Sequence, residues 1–213
     1  MPWLKPQQKL LEAAGLPDRQ VKQQLAGLAY ELLVGAGYIP IGMDHFALPE
    51  DRLAQALAQR TLHRNFMGYT TCRGLDQLAF GVSAISAIQG TYSQNEKELE
   101  AYYRRVQSGA LPVERGFLLN RDDEIRRELI IDLFCNFHLD GKQLEQKYGI
   151  DFRSYFQPEL KRLESLAADG LLAVADCNID VLPSGRYFIR NICMTFDRYL
   201  EKEVAGRRYS QAV

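Results

Sequence analysis

An excess of charge of either sign is missing from this chain. Its 213 residues carry 26 Lys and Arg against 27 Asp and Glu, a formal net charge of -1, so no field draws nucleic acid or anionic lipid to the surface as a whole. Long apolar runs are missing too: none approaches the roughly 20 residues that span a bilayer. The start, Met1-Pro2-Trp3-Leu4-Lys5-Pro6-Gln7-Gln8, lacks the apolar core of a signal peptide. A cytoplasmic protein with no membrane and no nucleic-acid partner is the expectation. Cysteine is sparse. Cys72, Cys135, Cys177 and Cys193 lie 63, 42 and 16 residues apart, and no pair has the close spacing of a zinc or iron–sulfur loop. Four reduced, mostly buried thiols acting as small apolar side chains are expected, with no metal ligands in the chain. Gly-rich phosphate loops, Gly-x-Ser-x-Gly, His-Glu-x-x-His, internal repeats and low-complexity segments are all absent. What is present is an ordinary globular composition, 46% apolar and 25% charged. The length suits one large or two small domains around a sizeable core.

Periodicity predicts a helix over 18–36, with Val21, Leu25, Leu28, Ala29 and Leu32 in one stripe. Pro17-Asp18 marks its start, and Gly35 and Gly37 its stop. Tyr38-Ile39-Pro40-Ile41-Gly42 reads as a short strand that Pro40 confines to an edge, followed by a polar loop holding Asp44 and His45. Helix, strand and loop make one αβ unit, a fold that places sites past strand ends. A helix is expected over 49–61, irregular chain over 62–74, an apolar stretch rich in small residues over 75–90, and a helix over 95–107 with Leu99, Tyr102, Tyr103 and Val106 on one face.

A boundary is expected near 108–121. Beyond it, 122–137 reads as a strong helix whose Asp122 and Asp123 suit the positive N-terminal end. Short helices at 141–148 and 157–169 follow. Leu171-Leu172-Ala173-Val174 and Ile179-Asp180-Val181-Leu182 bracket a hairpin turn, and a last helix is expected over 183–202. Helices plus a hairpin follow the order of a winged-helix unit. The candidate DNA-facing helix, Gln157–Ser165, has mixed charges, and Asp176 and Asp180 sit in the wing, so a packing or lid module is favoured over DNA binding.

Few residues announce chemistry. His45 beside Asp44 reads as a base with its orienting carboxylate, as half of a metal site, or as a loop side chain that satisfies local hydrogen bonds. Arg64 suits a carboxylate, whose geometry a guanidinium fork matches; a solvated loop charge is the alternative. Asn65-Phe66-Met67-Gly68-Tyr69 could line an apolar pocket for a flat ligand, or be ordinary core. Arg64, Asn65 and Tyr69 are the substrate-pocket candidates.

Gly42-Met43-Asp44-His45-Phe46-Ala47, His63-Arg64-Asn65-Phe66, Gly68-Tyr69-Thr70-Thr71, Gly81-Val82-Ser83-Ala84-Ile85-Ser86, Tyr92-Ser93-Gln94-Asn95, Arg121-Asp122-Asp123 and Arg190-Asn191-Ile192-Cys193-Met194 occur in this order. On these strings the chain, from Leu16 onward, resembles the C-terminal half of oxygen-independent coproporphyrinogen III oxidase, a radical S-adenosylmethionine (SAM) family. The resemblance implies an α/β plus mainly α fold: residues 1–110 as the last αβ elements of an incomplete (β/α) radical-SAM barrel with closing segments, and residues 111–213 as a helical, winged-helix-like C-terminal domain. It implies oxidative decarboxylation of two propionates of coproporphyrinogen III to vinyls, giving protoporphyrinogen IX in haem synthesis, by a cytoplasmic, monomeric full-length enzyme served by an electron donor. The cofactors implied are S-adenosylmethionine and a [4Fe–4S] cluster. The cluster's Cys-x3-Cys-x2-Cys loop is absent from this sequence, so its ligands are expected upstream, in a half that was cut away or is supplied separately. The chain alone is then expected to be inactive, with no catalytic residue of its own. Ile85, Phe66 and Met67 carry over as cofactor-binding residues, and Met67 stands where relatives often have Gln, a hydrogen-bonding side chain that Met cannot replace. A non-catalytic haem-handling or protein-interaction module is the alternative function.

Overall fold

A computed structural model describes residues 15–200. The stretch Met1–Gln8 and the final residues of the expected 183–202 helix lie outside them. Asp18 caps the first helix, α1 (Arg19–Gly35), by accepting the Val21 N–H. The expected apolar stripe is there, but the described residues do not cover it: Leu25, Leu28 and Leu32 are 54%, 52% and 65% exposed. The helix meets the rest through Tyr30 instead, whose ring packs on Phe46 at 5.8 Å and Tyr187 at 5.4 Å.

The strand β1 (Ile39–Gly42) does not lead into a loop. Met43, in the left-handed region at φ 51°, turns the chain sharply, and β2 (His45–Ala47) returns antiparallel. Next comes α2 (Arg52–Ala58), shorter than expected at both ends: Asp51 caps it by accepting the Leu53 N–H, and Arg60, at φ 57°, turns the chain away after it. Residues 62–74 are not irregular: β3 (His63–Asn65) and β4 (Gly68–Thr70) form a second hairpin. A third antiparallel sheet joins β5 (Ile85–Ile88), β6 (Thr91–Asn95) and β7 (Val113–Leu118), with α3 (Leu99–Gln107) carried between the last two. The stretch expected as a boundary thus contains a strand paired to β6. All strand pairs among the described residues are antiparallel. The mixed α/β character expected from sequence holds.

In the second half α4 (Arg121–Asn136) starts at a capping box. Asn120 accepts the Asp123 N–H while the Asp123 carboxylate accepts the Asn120 N–H. Then follow β8 (His138–Asp140), α5 (Gly141–Tyr148), the single turn α6 (Phe152–Tyr155), α7 (Gln157–Ala168), β9 (Leu172–Ala175) and β10 (Asn178–Val181). The expected β9–β10 hairpin gains β8 as a third strand, in the order β8-β10-β9. The long last helix is replaced by a 3-10 turn, Pro183–Phe188, and a short α8 (Ile189–Met194).

Two cores result. The larger packs Ile125, Leu129 and Leu133 of α4 against Phe152, Phe156, Leu163, Ile179 and Phe196. The smaller holds Ile41, Ala47, Ala54, Ala56 and Leu62, with Cys135 of α4. Asn136 ties them: its buried side-chain amide donates to the Leu62 carbonyl at 3.2 Å, and its oxygen accepts the Leu62 N–H at 3.1 Å. Both backbone groups would otherwise be buried without partners.

Candidate functional site

The outer face of α4, the β3–β4 hairpin, the 72–78 loop and the β5-β6-β7 sheet enclose an open cleft of about 1310 Å³. Helical spacing builds its floor. Arg127, Ile131 and Phe134 recur at i, i+4 and i+7, so they share one face, and all three line the cleft. Its far wall carries Tyr92 and Phe117 from β6 and β7. Phe66, at the tip of the β3–β4 hairpin, reaches across edge-on to the Tyr92 ring at 5.2 Å.

Arg64 is held by aromatics rather than by acids. Its guanidinium lies 4.9 Å from the centre of the Tyr69 ring and 5.2 Å from that of Phe134. Its Nη1 is buried without a hydrogen-bond partner, as is Nδ1 of His63 beside it. Burial, then the charges of Arg73 and Arg127, lowers the His63 pKa, so the imidazole is neutral at neutral pH. Burial pushes the Tyr69 hydroxyl up to about 12; it sits beneath Gly42, where a Cβ would strike the hydroxyl. That contact is one place where glycine is required by space.

At the cleft's base lies an ion-pair cluster. Arg126 Nε donates to both Asp122 oxygens at 3.0 Å, and its Nη1 donates to Glu159 at 2.8 Å and to the Phe196 carbonyl at 3.0 Å. Asp122 also accepts from Tyr155 at 2.6 Å and from Arg198. Burial alone would raise the Asp122 pKa, but hydrogen bonds from Tyr155, Arg198 and Arg126 bring it below its usual value. Glu128 behaves alike: burial raises it, and Lys147 and Tyr148 more than offset this. Asp132 differs, since burial outweighs its Arg73 partner and its pKa is raised.

These directions fix the acid response. Carboxyls held low in the folded state contribute stability above their unfolded values, near 4, and lose it as pH falls through the folded ones. His63 adds a smaller loss that starts below about 6.5, because its folded form resists protonation. Asp132 works the other way, since the folded state takes its proton first. The melting temperature should therefore decline slightly below pH 6.5 and steeply below about pH 4. Asp122→Asn should be less stable at pH 7 and flatten the steep part. Melts followed by circular dichroism from pH 3 to 8 check this, and equal slopes for the two proteins would refute it.

The candidates from sequence divide. Arg64, Asn65 and Phe66 line the cleft. Tyr69 stands behind it as a support for Arg64. Met67 points to solvent at the hairpin turn, 84% exposed, with its N–H bonded to the Asn65 side chain at 2.8 Å. Ile85, half-buried and paired with Gln94, lies two residues before the cleft-lining Ala87. His45 and Asp44 do touch, at 2.9 Å, but on an exposed turn outside the cleft lining. Sequence reasoning missed Arg127, Tyr92 and Phe117. The i, i+4, i+7 spacing behind Arg127 is visible in the sequence, whereas the two aromatics need the strand pairing to be known.

The four cysteines do not converge. Cys72 is exposed, Cys177 half-buried, and Cys135 and Cys193 buried. Burial raises the Cys135 thiol to about 12 and the Cys193 thiol further still, the reverse of what a thiolate ligand needs. Among the described residues no group of three His, Cys, Asp or Glu could hold a metal, and no helix is long and apolar enough to cross a membrane.

Residues 119–188 match the HemN C-terminal domain. Over 217 residues the chain is 43% identical to the oxygen-independent coproporphyrinogen III oxidase of Synechocystis sp., covering 100% of the chain and 47% of that protein. Over 213 residues it is 45% identical to the enzyme of the same name from Salmonella typhimurium, with the same coverages. Among solved structures, the coproporphyrinogen III oxidase (HemN) of Escherichia coli, described as a radical SAM enzyme, aligns with a TM-score of 0.91 at 46% identity, covering 93% of this chain and 46% of that one. The chain spans about half the length of these relatives.

Proposed function

The chain belongs to the oxygen-independent coproporphyrinogen III oxidase family, and from that premise we propose that it forms the substrate-covering half of a radical SAM coproporphyrinogen III dehydrogenase. Residues 1–110 would close the barrel, and 111–213, a winged-helix-like domain, would cover it. The observation that carries the reading is the cleft itself. Its apolar floor and aromatic wall suit a flat, largely apolar ligand, and its cationic rim suits that ligand's carboxylates.

The described cysteines do not fit a [4Fe–4S] cluster, so its ligands belong to the other half of the enzyme. Phe66, Met67 and Ile85 fit an apolar cofactor contact, the first two being exposed apolar side chains on one hairpin. When bound, S-adenosylmethionine with the reduced cluster supplies a radical that abstracts hydrogen from a propionate side chain. The chain's own residues position the substrate, hold its carboxylates and exclude water.

The test joins this chain to the N-terminal half of the Synechocystis relative. After anaerobic reconstitution, the chimera should convert coproporphyrinogen III to protoporphyrinogen IX, while the chain alone should not. Ile85→Asp in the chimera should leave fold and cluster intact and weaken S-adenosylmethionine binding on the order of a hundredfold, because a carboxylate would face an apolar surface. A folded chimera with a full cluster that cleaves S-adenosylmethionine yet leaves the porphyrinogen untouched would defeat the proposal.

A further inference from the structure

Arg and Lys side chains line the cleft at six positions: 64, 73, 126, 127, 147 and 198. Four have acidic partners: Arg73 with Asp132, Arg126 with Asp122 and Glu159, Lys147 with Glu128, and Arg198 with Asp122. Arg64 and Arg127 have none: neither makes an ion pair with another described side chain, and Nη1 of Arg64 has no hydrogen-bond partner. Both are half-buried, so each holds a charge partly out of water with no counter-ion, an arrangement that costs stability.

We propose that Arg64 and Arg127 are paired carboxylate-binding residues, which bracket the apolar floor of the cleft and position a rigid amphipathic polycarboxylate across it. The geometry sets the span. Arg64 lies over Phe134, and Arg127 is seven residues earlier on the same face of α4. Two helical turns put the Arg127 backbone about 10 Å along the axis from that of Phe134, the residue beneath Arg64, with Ile131 between them. A ligand that fits has an apolar body on that floor and carboxylates at two edges. Arg64 cannot swing away without leaving the Tyr69 and Phe134 rings, so its fork is pre-set for bidentate pairing. That Arg127 acts on the His63 titration places its charge within reach of the hairpin side of the cleft. The inference shares with the proposed function the assignment of this cleft as the ligand site; it adds which residues hold the ligand and by what groups.

The test titrates the chain with three probes by fluorescence: coproporphyrin III, its tetramethyl ester, and the flexible diacid sebacate in competition with a reporter dye. Variants are Arg127→Gln, Arg64→Gln, the charge-keeping Arg127→Lys, and Arg104→Gln on the exposed α3 as a surface control. Circular dichroism and thermal melts check folding. Coproporphyrin III should bind and the ester should not. Each Gln variant should weaken binding at least about 10-fold, the loss of one charge-assisted contact. Arg127→Lys should recover part of this, and Arg104→Gln should match the parent. Coproporphyrin binding that is unchanged in folded Arg64→Gln and Arg127→Gln overturns the inference while leaving the proposed function standing. Arginine-dependent binding of sebacate without any coproporphyrin binding supports the carboxylate site and defeats the proposed function. Failure of every probe to bind overturns the inference.

Discussion

Arg126→Met is expected to remove about 3–5 kcal/mol of folding stability, the usual cost of breaking a buried pair from one side, and to lower the melting temperature on the order of 10 °C. The side chain is only 14% exposed, and its partner Glu159 only 8%. Without the guanidinium, Glu159 keeps Arg162 alone, at 3.7 Å from a side chain that is 46% exposed. Its Oε2 already lacks a partner, and the Phe196 carbonyl loses its donor. Met replaces the methylene stem and retains contact with the Phe156 ring, over which the guanidinium sits at 5.3 Å, so the loss reports charge rather than volume. The double change Arg126→Met with Glu159→Leu should recover a large part, because it removes the stranded carboxylate as well. Urea unfolding of the parent, both singles and the double provides the cycle. A single Met variant within about 1 kcal/mol of the parent would contradict this reading.

Gly185→Ala should be comparably harmful for a different reason. Gly185 is buried in the 3-10 turn after β10. A Cβ there would land on the Leu171 carbonyl, with Val181 Cγ1 3.1 Å away. That carbonyl cannot retreat freely, since it accepts the Leu182 N–H at 3.0 Å. One methyl group therefore displaces backbone, and a loss of about 3 kcal/mol or more is expected, at the upper end of overpacking costs. Gly27→Ala is the contrast. Nothing lies within 4 Å of its Cβ, and in the middle of α1 the change should stabilise by about 0.5–1 kcal/mol. Equal midpoints for the two Ala variants in denaturant would remove the steric explanation.

Helical segments and one hairpin are the readable part of this chain. Those forming α1, α4, α5 and α7, and the β9–β10 hairpin, follow directly from apolar spacing and turn residues. The 62–74 hairpin escaped because its strands are three residues each, too short for alternation to register, and Gly68 and Tyr69 read as pocket rather than strand. The β6–β7 ladder escaped because a helix separates its strands, so no local pattern announces the pairing. The last helix was over-extended because Pro183-Ser184-Gly185 stops an α-helix from forming there, a signal outweighed by the apolar residues beyond it. The site was half legible. Arg64 and Phe66 stand out by residue type, whereas Arg127 sits inside a helix whose apolar spacing points only to its buried face.

The link between Asn136 and Leu62 has a kinetic consequence. A loop of seventy-four residues is closed by one side-chain amide that clamps both the N–H and the carbonyl of a single residue. For the Leu62 amide proton to reach water, the end of α4 must come loose, and with it the αL turn at Phe137 that leads into β8. The hairpin-bearing half therefore has no private route to opening. Its slowest-exchanging hydrogens should share the rate of the helical half, and the two cores should behave as one cooperative unit despite their separate packing.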